Sequence, residues 1–218
     1  MTLSNDSNVT VCITSCGRPK LLEATLGSFV KHNSYPVKEV LICEDSGTPC
    51  NAHLEAKFPH FTWINKPTRK GQLHSVDLLY SAVKTPYIFH CEDDWLFLKE
   101  GFIEASLDVL EAHPKIMMCW LRGLDDTNNH PIKYHKPYWY LKRNHKRIWG
   151  GFTFNPALRR LADYQLHAPY SNLGRFSARN SGFIGEQIVS MKMQKSGFLA
   201  IVLPDKYVRH IGDGHHVF

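Results

Sequence analysis

The segment "PYIFHCEDDWLF", from Pro86 to Phe97, places three adjacent carboxylates between two apolar runs. The first run predicts a buried strand, and Glu92, Asp93 and Asp94 follow where that strand would end. Like charges repel, and a carboxylate that leaves water without a partner is strongly destabilising. A chain tolerates this arrangement most readily where a cation comes to the site, so the segment predicts a cation-binding strand end.

Apolar strand-like runs alternate with helical runs on both sides of this segment, through residues 1–120. The predicted strands read "VTVCITS", "VKEVLIC", "FTWIN", "YIFHC" and "KIMMCWL". The predicted helices read "PKLLEATLGSFVKH", "HLEAKF", "GQLHSVDLLYSAVK" and "GFIEASLDVLEAH". Because the strands are apolar throughout rather than at alternate positions, we predict one α/β domain with a mostly parallel central sheet and helices on both faces.

A second acidic strand end supports a ligand site on this sheet. Glu44 and Asp45 follow the strand "VKEVLIC", just as Glu92 to Asp94 follow "YIFHC". Parallel sheets of this kind bind ligands at the carboxyl ends of their strands. Two acidic strand ends on one edge therefore predict a charged ligand site there.

The charge of the chain indicates an anionic partner without indicating nucleic acid. The 218 residues carry a net charge of +6, and the basic residues are scattered except in "KYHKPYWYLKRNHKR", residues 133–147. That cluster mixes cations with Tyr and Trp, as a nucleic-acid or sugar-binding surface does. Because no helix-turn-helix, RNA-recognition or zinc-finger pattern accompanies it, we expect no nucleic-acid partner.

The cysteines and the apolar runs indicate a reducing compartment. Cys12, Cys43, Cys91 and Cys119 lie inside apolar runs, where a reduced cysteine acts as a small hydrophobic residue, and no CxxC pair occurs. The N-terminal residues lack a signal-peptide core, and no apolar run reaches membrane-spanning length. These features predict a cytoplasmic protein without a membrane span.

The order of these segments resembles that of the GT-A glycosyltransferases, in particular the inverting family 2 type. "VTVCITSCGRPKLLEATLGSF" resembles their first strand, loop and helix, and "VKEVLICEDSG" their second strand with its nucleotide-contacting acid. "YIFHCEDDWLF" resembles the strand that runs into a DxD-type metal motif, and "GEQIVSMKMQKSGF" the later catalytic segment. Four motifs in the family's order make the resemblance specific.

The resemblance implies a nucleotide-diphosphate sugar donor, with a UDP-sugar favoured, and Mn²⁺ or Mg²⁺ as cofactor. Both ions accept carboxylate oxygens, and imidazole suits Mn²⁺. We expect Asp94 to bind the metal directly, with Glu92 and Asp93 on the ribose, the sugar or metal-bound water. The family often takes a last metal ligand from a C-terminal histidine, which makes His210, and then His215, the candidate.

Four further residues are expected to contact the donor nucleotide. Ser15 and Arg18 lie in the first loop, and Asp45 ends the second strand, where it would bind the base or ribose. Lys70, in "PTRKG", would meet the diphosphate. Surface charge is the alternative explanation for Lys70, and turn chemistry is the less favoured alternative for Asp45.

Glu186 is the expected general base, because an inverting transfer needs one carboxylate beside the attacking acceptor hydroxyl. Asp126, with its neighbour Asp125, is the alternate. The implied arrangement assigns residues 1–120 to nucleotide-sugar binding and residues 121–218 to acceptor binding and catalysis in the same domain. The expected acceptor is a hydroxyl compound, a glycan first among them.

Three other functions remain open on the sequence. Whether further domains of a longer polypeptide accompany the chain is open as well. A divalent-metal nucleotidyltransferase would also use acidic strand ends, and a metal-dependent hydrolase would draw ligands from "HCEDD" and "HIGDGHH". A non-catalytic carbohydrate- or nucleotide-binding module would keep Asp45 but would not need Glu186.

Overall fold

The structure is a computed structural model that describes residues 1–142, 150–173 and 181–213, without the side chains of residues 181–184. The helices are α1 (Pro19–His32), α2 (Ala52–Lys57), α3 (Gln72–Ala82), α4 (Phe102–Ala112), α5 (Leu161–Gln165) and α6 (Ser181–Lys195), with a 3-10 turn at Tyr170–Asn172. The strands are β1 (Val9–Ser15), β2 (Glu39–Glu44), β3 (Thr62–Asn65), β4 (Tyr87–Glu92), β5 (Trp95–Phe97), β6 (Ile116–Trp120), β7 (Ile132–His135), β8 (Tyr138–Leu141), β9 (Ala157–Arg160), β10 (Leu199–Val202) and β11 (Val208–His210).

The central sheet has the strand order β3-β2-β1-β4-β9, and its first four strands are parallel. The fifth strand, β9, pairs antiparallel with β4. All seven residues of β1 are buried, as expected for a strand covered on both faces. The predicted mostly parallel sheet is confirmed.

Helices cover both faces of this sheet, also as predicted. Val11 and Ile13 of β1 pack in one apolar cluster with residues of α1 and α4. Cys12, which points the other way, packs in a second cluster with residues of α3 and α6. Each face therefore has its own apolar core.

The remaining strands form two smaller ladders that the sequence did not predict. β6, expected as the next strand of the central sheet, instead pairs parallel with β10 in the order β6-β10-β8-β7. It lies against β9, where Arg160 donates a hydrogen bond to the carbonyl of Ile116. The antiparallel ladder β5–β11 joins Trp95 to His210. β5 has only three residues, too few to show a period.

None of the helices in the described ranges has the length and apolar character needed to cross a bilayer.

All six cysteines are free, and Cys12, Cys43, Cys91 and Cys119 are buried, as their apolar context predicted.

His90, in β4, makes the core sensitive to acid. Its ring is fully buried between Tyr80 and Phe154, and neither ring nitrogen has a hydrogen-bond partner among the described residues. Burial holds the pKa of His90 well below its ordinary value of 6.5. Below about pH 6.5, His90 is therefore protonated in the unfolded chain but stays neutral in the folded chain. His90 thus lowers the free energy of unfolding as the pH falls.

We accordingly expect His90→Leu to remove part of the acid sensitivity of folding. The free energy of unfolding of the variant, relative to the wild type, should rise between about pH 7.5 and about pH 5.5. Urea denaturation at the two pH values measures this difference. An equal difference at both values would show that His90 does not stay neutral in the folded protein.

Candidate active site

The carboxylates of Glu92, Asp93 and Asp94 lie at the carboxyl edge of the central sheet, between the end of β4 and β5. Asp93 and Asp94 are buried, and Glu92 is partly exposed. The end of β2 lies beside them, because the Ser15 hydroxyl is 2.9 Å from both Glu44 Oε2 and Asp93 Oδ2. The two acidic strand ends meet at one edge.

These contacts concentrate acidic groups around one hydroxyl. A serine hydroxyl has a single proton, and both carboxylate oxygens face it. Burial raises the pKa of Asp93 to about 6, although Arg18 works in the opposite direction. Burial and the charges of Asp94, Glu186 and Asp93 raise the pKa of Glu92 to about 8. The cluster therefore holds less negative charge than its number of carboxyl groups implies.

Arg18 is the cation that this cluster contacts. Its Nη1 lies 2.9 Å from Asp94 Oδ2, its Nε lies 3.2 Å from Asp93 Oδ2, and its Nη2 pairs with Asp93 Oδ1. The guanidinium is largely buried, so these pairs are shielded from solvent. The positive charge of Arg18 thus partly compensates the negative charges of Asp93 and Asp94. Arg18 lies at the carboxyl edge of the central sheet, where a contact with the donor nucleotide was expected.

Asp94 and His210 face each other across the β5–β11 ladder, with His210 Nε2 3.4 Å from Asp94 Oδ2. The backbone of the next turn closes over Asp94, because Ile211 N donates to the Asp94 carbonyl oxygen at 2.9 Å. A Cβ on Gly212 would lie only 2.3 Å from Asp94 Oδ2. Although burial works in the opposite direction, hydrogen bonds from His210 and Arg18 hold the pKa of Asp94 below its ordinary value.

The Asp94–His210 pair has the donor atoms of a divalent metal site. Asp94 Oδ1 is buried and has no hydrogen-bond partner among the described residues, so one carboxylate oxygen is available. Carboxylate oxygen and imidazole nitrogen together suit Mn²⁺. Within the part of the chain that the structure describes, no three His, Cys, Asp or Glu side chains are grouped as ready ligands. His215 lies outside the described residues.

Asp45 is engaged with the chain itself. The buried Asp45 carboxylate accepts hydrogen bonds from Lys70 N at 2.8 Å and Gly71 N at 2.6 Å, and pairs with Lys66 Nζ at 2.5 Å. It thereby shapes the turn that begins α3, to which Lys70 contributes its backbone amide. A nucleotide contact by Asp45 or Lys70 stays a prediction, and Lys66 is a cation that the sequence analysis missed.

Glu44 organises the first loop, a role that the sequence analysis also missed. Glu44 Oε1 accepts hydrogen bonds from Gly17 N and Ser46 N, both at 2.8 Å. Glu44 Oε2 lies 3.0 Å from Asn51 Nδ2 and close to the Ser15 hydroxyl. In the sequence, the adjacent acids Glu44 and Asp45 of "CEDSG" indicate an acidic strand end. They do not indicate that Glu44 would accept hydrogen bonds from the backbone amides of the first loop.

Glu186 lies near the start of α6 and belongs to the same site. Its Oε2 accepts hydrogen bonds from Thr153 Oγ1 at 3.0 Å and Phe154 N at 2.9 Å. The side chain is partly exposed, and burial raises its pKa above 4.5. Glu186 is close enough to Glu92 to raise the pKa of that group, and Gln72 Nε2 holds Glu92 Oε1 at 2.6 Å. The predicted base is therefore placed beside the acidic strand end.

Asp126, the alternate base, is held in ion pairs. Its Oδ1 lies 2.8 Å from Arg122 Nη2, and its Oδ2 lies 3.9 Å from Lys206 Nζ. Arg122 in turn lies over the Trp95 ring, 5.3 Å from its centroid. The turn that carries Asp126 is thus near β5 and the Asp94–His210 pair. Because Arg122 and Lys206 both pair with the Asp126 carboxylate, Glu186 is the better candidate for the general base.

The fold is similar to that of two solved transferases. S. aureus TarS superposes with a TM-score of 0.68 over 93% of this chain and 36% of its own, at 15% identity. The mannosyltransferase PcManGT from Pyrobaculum calidifontis, in complex with GDP-Man and Mn²⁺, gives a TM-score of 0.63 over 91% of this chain and 55% of its own, at 18% identity. At such identities the similarity establishes the GT-A fold.

Sequence comparison identifies the family. Mouse (Mus musculus) beta-1,4 N-acetylgalactosaminyltransferase 2 is 33% identical over 103 residues, which are 47% of this chain and 19% of that protein. The chain therefore spans only a fraction of the length of this relative and of TarS. The model of glycosyl transferase family 2 matches residues 10–183, most of the chain. The chain belongs to glycosyl transferase family 2.

Proposed function

We propose that the chain transfers a sugar from a nucleotide-diphosphate sugar, with a UDP-sugar favoured, to an acceptor hydroxyl of a glycan with inversion. The observation that carries this proposal is the contact of Asp94 with His210 at the edge of the sheet where the acidic ends of β2 and β4 meet. The solved complexes of TarS with UDP and with UDP-GlcNAc, and of PcManGT with GDP-Man and Mn²⁺, support a nucleotide-sugar donor.

Asp94 and His210 are the residues that would hold Mn²⁺ or Mg²⁺. When bound, the ion supplies positive charge that stabilises the departing diphosphate. Arg18 contacts the same Asp94 Oδ2 that faces His210, and its charge would also favour a diphosphate near the cluster.

Glu186 is the residue best placed to remove the proton of the acceptor hydroxyl. Both of its hydrogen bonds reach Oε2, and Oε1 has no hydrogen-bond partner among the described residues. The raised pKa brings the carboxylate closer to the strength of a useful base. An acceptor hydroxyl at Oε1 would lose its proton as its oxygen attacks the anomeric carbon, and the nucleotide diphosphate would leave from the opposite side.

The two halves of the domain divide the work in this proposal. Residues 1–120 carry Ser15, Arg18, Asp45 and Lys70 and would bind the donor. Residues 121–218 carry Glu186 and His210 and would bind the acceptor and complete the site. The partial coverage of the relatives leaves room for further domains in a longer polypeptide.

Donor binding provides the direct test. We expect a UDP-sugar with Mn²⁺ to raise the melting temperature of the wild type, and Asp94→Asn to remove that rise, because the variant loses the anionic metal ligand. A thermal-shift panel of UDP-, GDP- and dTDP-sugars, each with and without Mn²⁺, measures this effect. The exposed Asp108, changed to Asn, is the matched control and should behave as the wild type.

Stabilisation that requires both the ion and one nucleotide would support the transferase and identify the donor class. Stabilisation by Mn²⁺ alone, with no response to any nucleotide-sugar, would overturn the donor site and favour a metal-dependent hydrolase.

A further inference from the structure

Arg159 is a buried cation that the proposed chemistry does not use directly. It lies on β9, beside Ile88 of β4, and its side chain is 4% exposed. Among the described residues no carboxylate lies within ion-pair distance of it. Burying an unpaired charge is strongly unfavourable, so a buried arginine of this kind must be stabilised by its other contacts.

Those contacts hold one segment of the chain, residues 152–155. Arg159 Nη2 donates to the carbonyl oxygen of Thr153 and lies 3.5 Å from that of Asn155. Its guanidinium lies over the rings of Phe152 and Phe154, 4.8 and 5.5 Å from their centroids. Backbone carbonyl groups and aromatic rings of residues 152–155 therefore all contact the Arg159 guanidinium.

The far side of Arg159 is anchored to α3. Arg159 Nη1 donates a hydrogen bond to the Tyr80 hydroxyl at 2.8 Å, and Tyr80 is itself buried. The Arg159 guanidinium is thus held by Tyr80 of α3 on one side, and on the other side it holds residues 152–155. The position of residues 152–155 follows from that of the sheet and of α3.

The same segment supplies both hydrogen bonds to Glu186. Thr153 Oγ1 donates to Glu186 Oε2 and also accepts from Asn155 N at 3.3 Å, which orients the hydroxyl toward Glu186. Phe154 N is the second donor. Because both donors reach Oε2, they hold that oxygen in place, and Oε1 has no hydrogen-bond partner among the described residues.

We propose that Arg159 and Thr153 are positioning residues for Glu186, which they hold with one oxygen directed at the acceptor site. This inference rests on the proposed function, since Glu186 is a base only if the chain transfers a glycosyl group. Arg159 acts through the segment and through its charge, and Thr153 acts by direct hydrogen bonding.

The charges that face Glu186 determine the sign of the expected effect. Arg159 from β9 and the donors Thr153 and Phe154 lower its pKa, against the effect of burial. Glu92 faces it from β4, but its pKa of about 8 keeps it protonated while Glu186 titrates. Removing a donor or the cation should therefore raise the pKa of Glu186 further.

The test is an NMR titration of the whole 218-residue chain, labelled with ¹³C at the glutamate carboxyl carbons. The signal of Glu186 is assigned by its loss in E186Q. We expect T153V to raise the pKa of Glu186 by about 1, the value expected for a lost hydrogen bond to a charged group. T153S keeps the hydroxyl and should titrate as the wild type. R159K, whose single ammonium cannot reach both Tyr80 and Thr153, should raise the pKa as well.

A titration unchanged in T153V and R159K, or shifted equally in T153S and T153V, would overturn the positioning role. The proposed function is tested separately, by transfer activity of E186Q. Full activity of E186Q together with the expected titrations would leave the positioning intact and remove Glu186 as the base.

Discussion

Gly212→Ala should weaken binding of Mn²⁺ by about 10- to 100-fold, as changes beside a metal ligand do. An added Cβ would lie 2.3 Å from Oδ2, 2.8 Å from Cγ and 2.9 Å from Cβ of Asp94. No contact so short is tolerated, and Ile211 N holds the local backbone to the Asp94 carbonyl oxygen. Either the Asp94 carboxylate or the backbone at Gly212 must therefore shift, and either shift changes the distance between the two proposed ligands, Asp94 and His210.

The measurement is the Mn²⁺ affinity by calorimetry, together with the Mn²⁺-dependent thermal shift by a UDP-sugar. Gly27→Ala is the matched control, because the added Cβ meets nothing within 4 Å in the interior of α1. That variant should bind Mn²⁺ normally and be more stable by about 0.5–1 kcal/mol. Normal Mn²⁺ affinity in Gly212→Ala would mean that Asp94 and His210 do not bind the ion together.

Glu186→Gln should lower kcat for sugar transfer by about 10²- to 10⁴-fold, the usual contribution of a general base. The amide has nearly the shape of the carboxylate and can still accept from Thr153 and Phe154 through its oxygen. It cannot take up the proton of the acceptor hydroxyl. Donor binding should be retained, because the proposed donor contacts lie on residues 1–120.

Steady-state kinetics with the donor found in the thermal-shift panel, and a parallel donor titration, separate these two effects. Glu111→Gln, at an exposed position on the surface, is the control for the loss of one negative charge. If Glu186→Gln transferred sugar at the wild-type rate, the base would have to be sought elsewhere, with Asp126 as the next candidate. A loss of donor affinity without loss of kcat would assign Glu186 to binding.

The sequence predicted the parts of the fold that depend on local pattern. The continuous apolar run of β1 predicted a strand buried on both faces, and the structure buries all of its residues. Glu92 to Asp94 and Glu44 followed such runs, so their meeting at one edge follows from the parallel order of the strands. The general placement of the site therefore came from short-range information.

The parts that were not predicted depend on contacts between distant residues. Trp95–Phe97 is too short to show a strand period, and its partner β11 lies more than a hundred residues later. The turn around Asp45 takes its donors from Lys70 and Gly71. No periodicity encodes these pairings, and each is fixed only when the whole domain packs.

Because β5 pairs with the distant strand β11, the contact between Asp94 and His210 forms late during synthesis and folding of the chain. During synthesis β1 to β4 emerge first, and they can pair with one another before β11 leaves the ribosome. His210 reaches Asp94 only when β11 closes a loop of more than a hundred residues, which costs chain entropy. A nascent chain in which β1 to β4 have paired but β11 has not yet docked therefore has its central sheet and lacks the contact between Asp94 and His210.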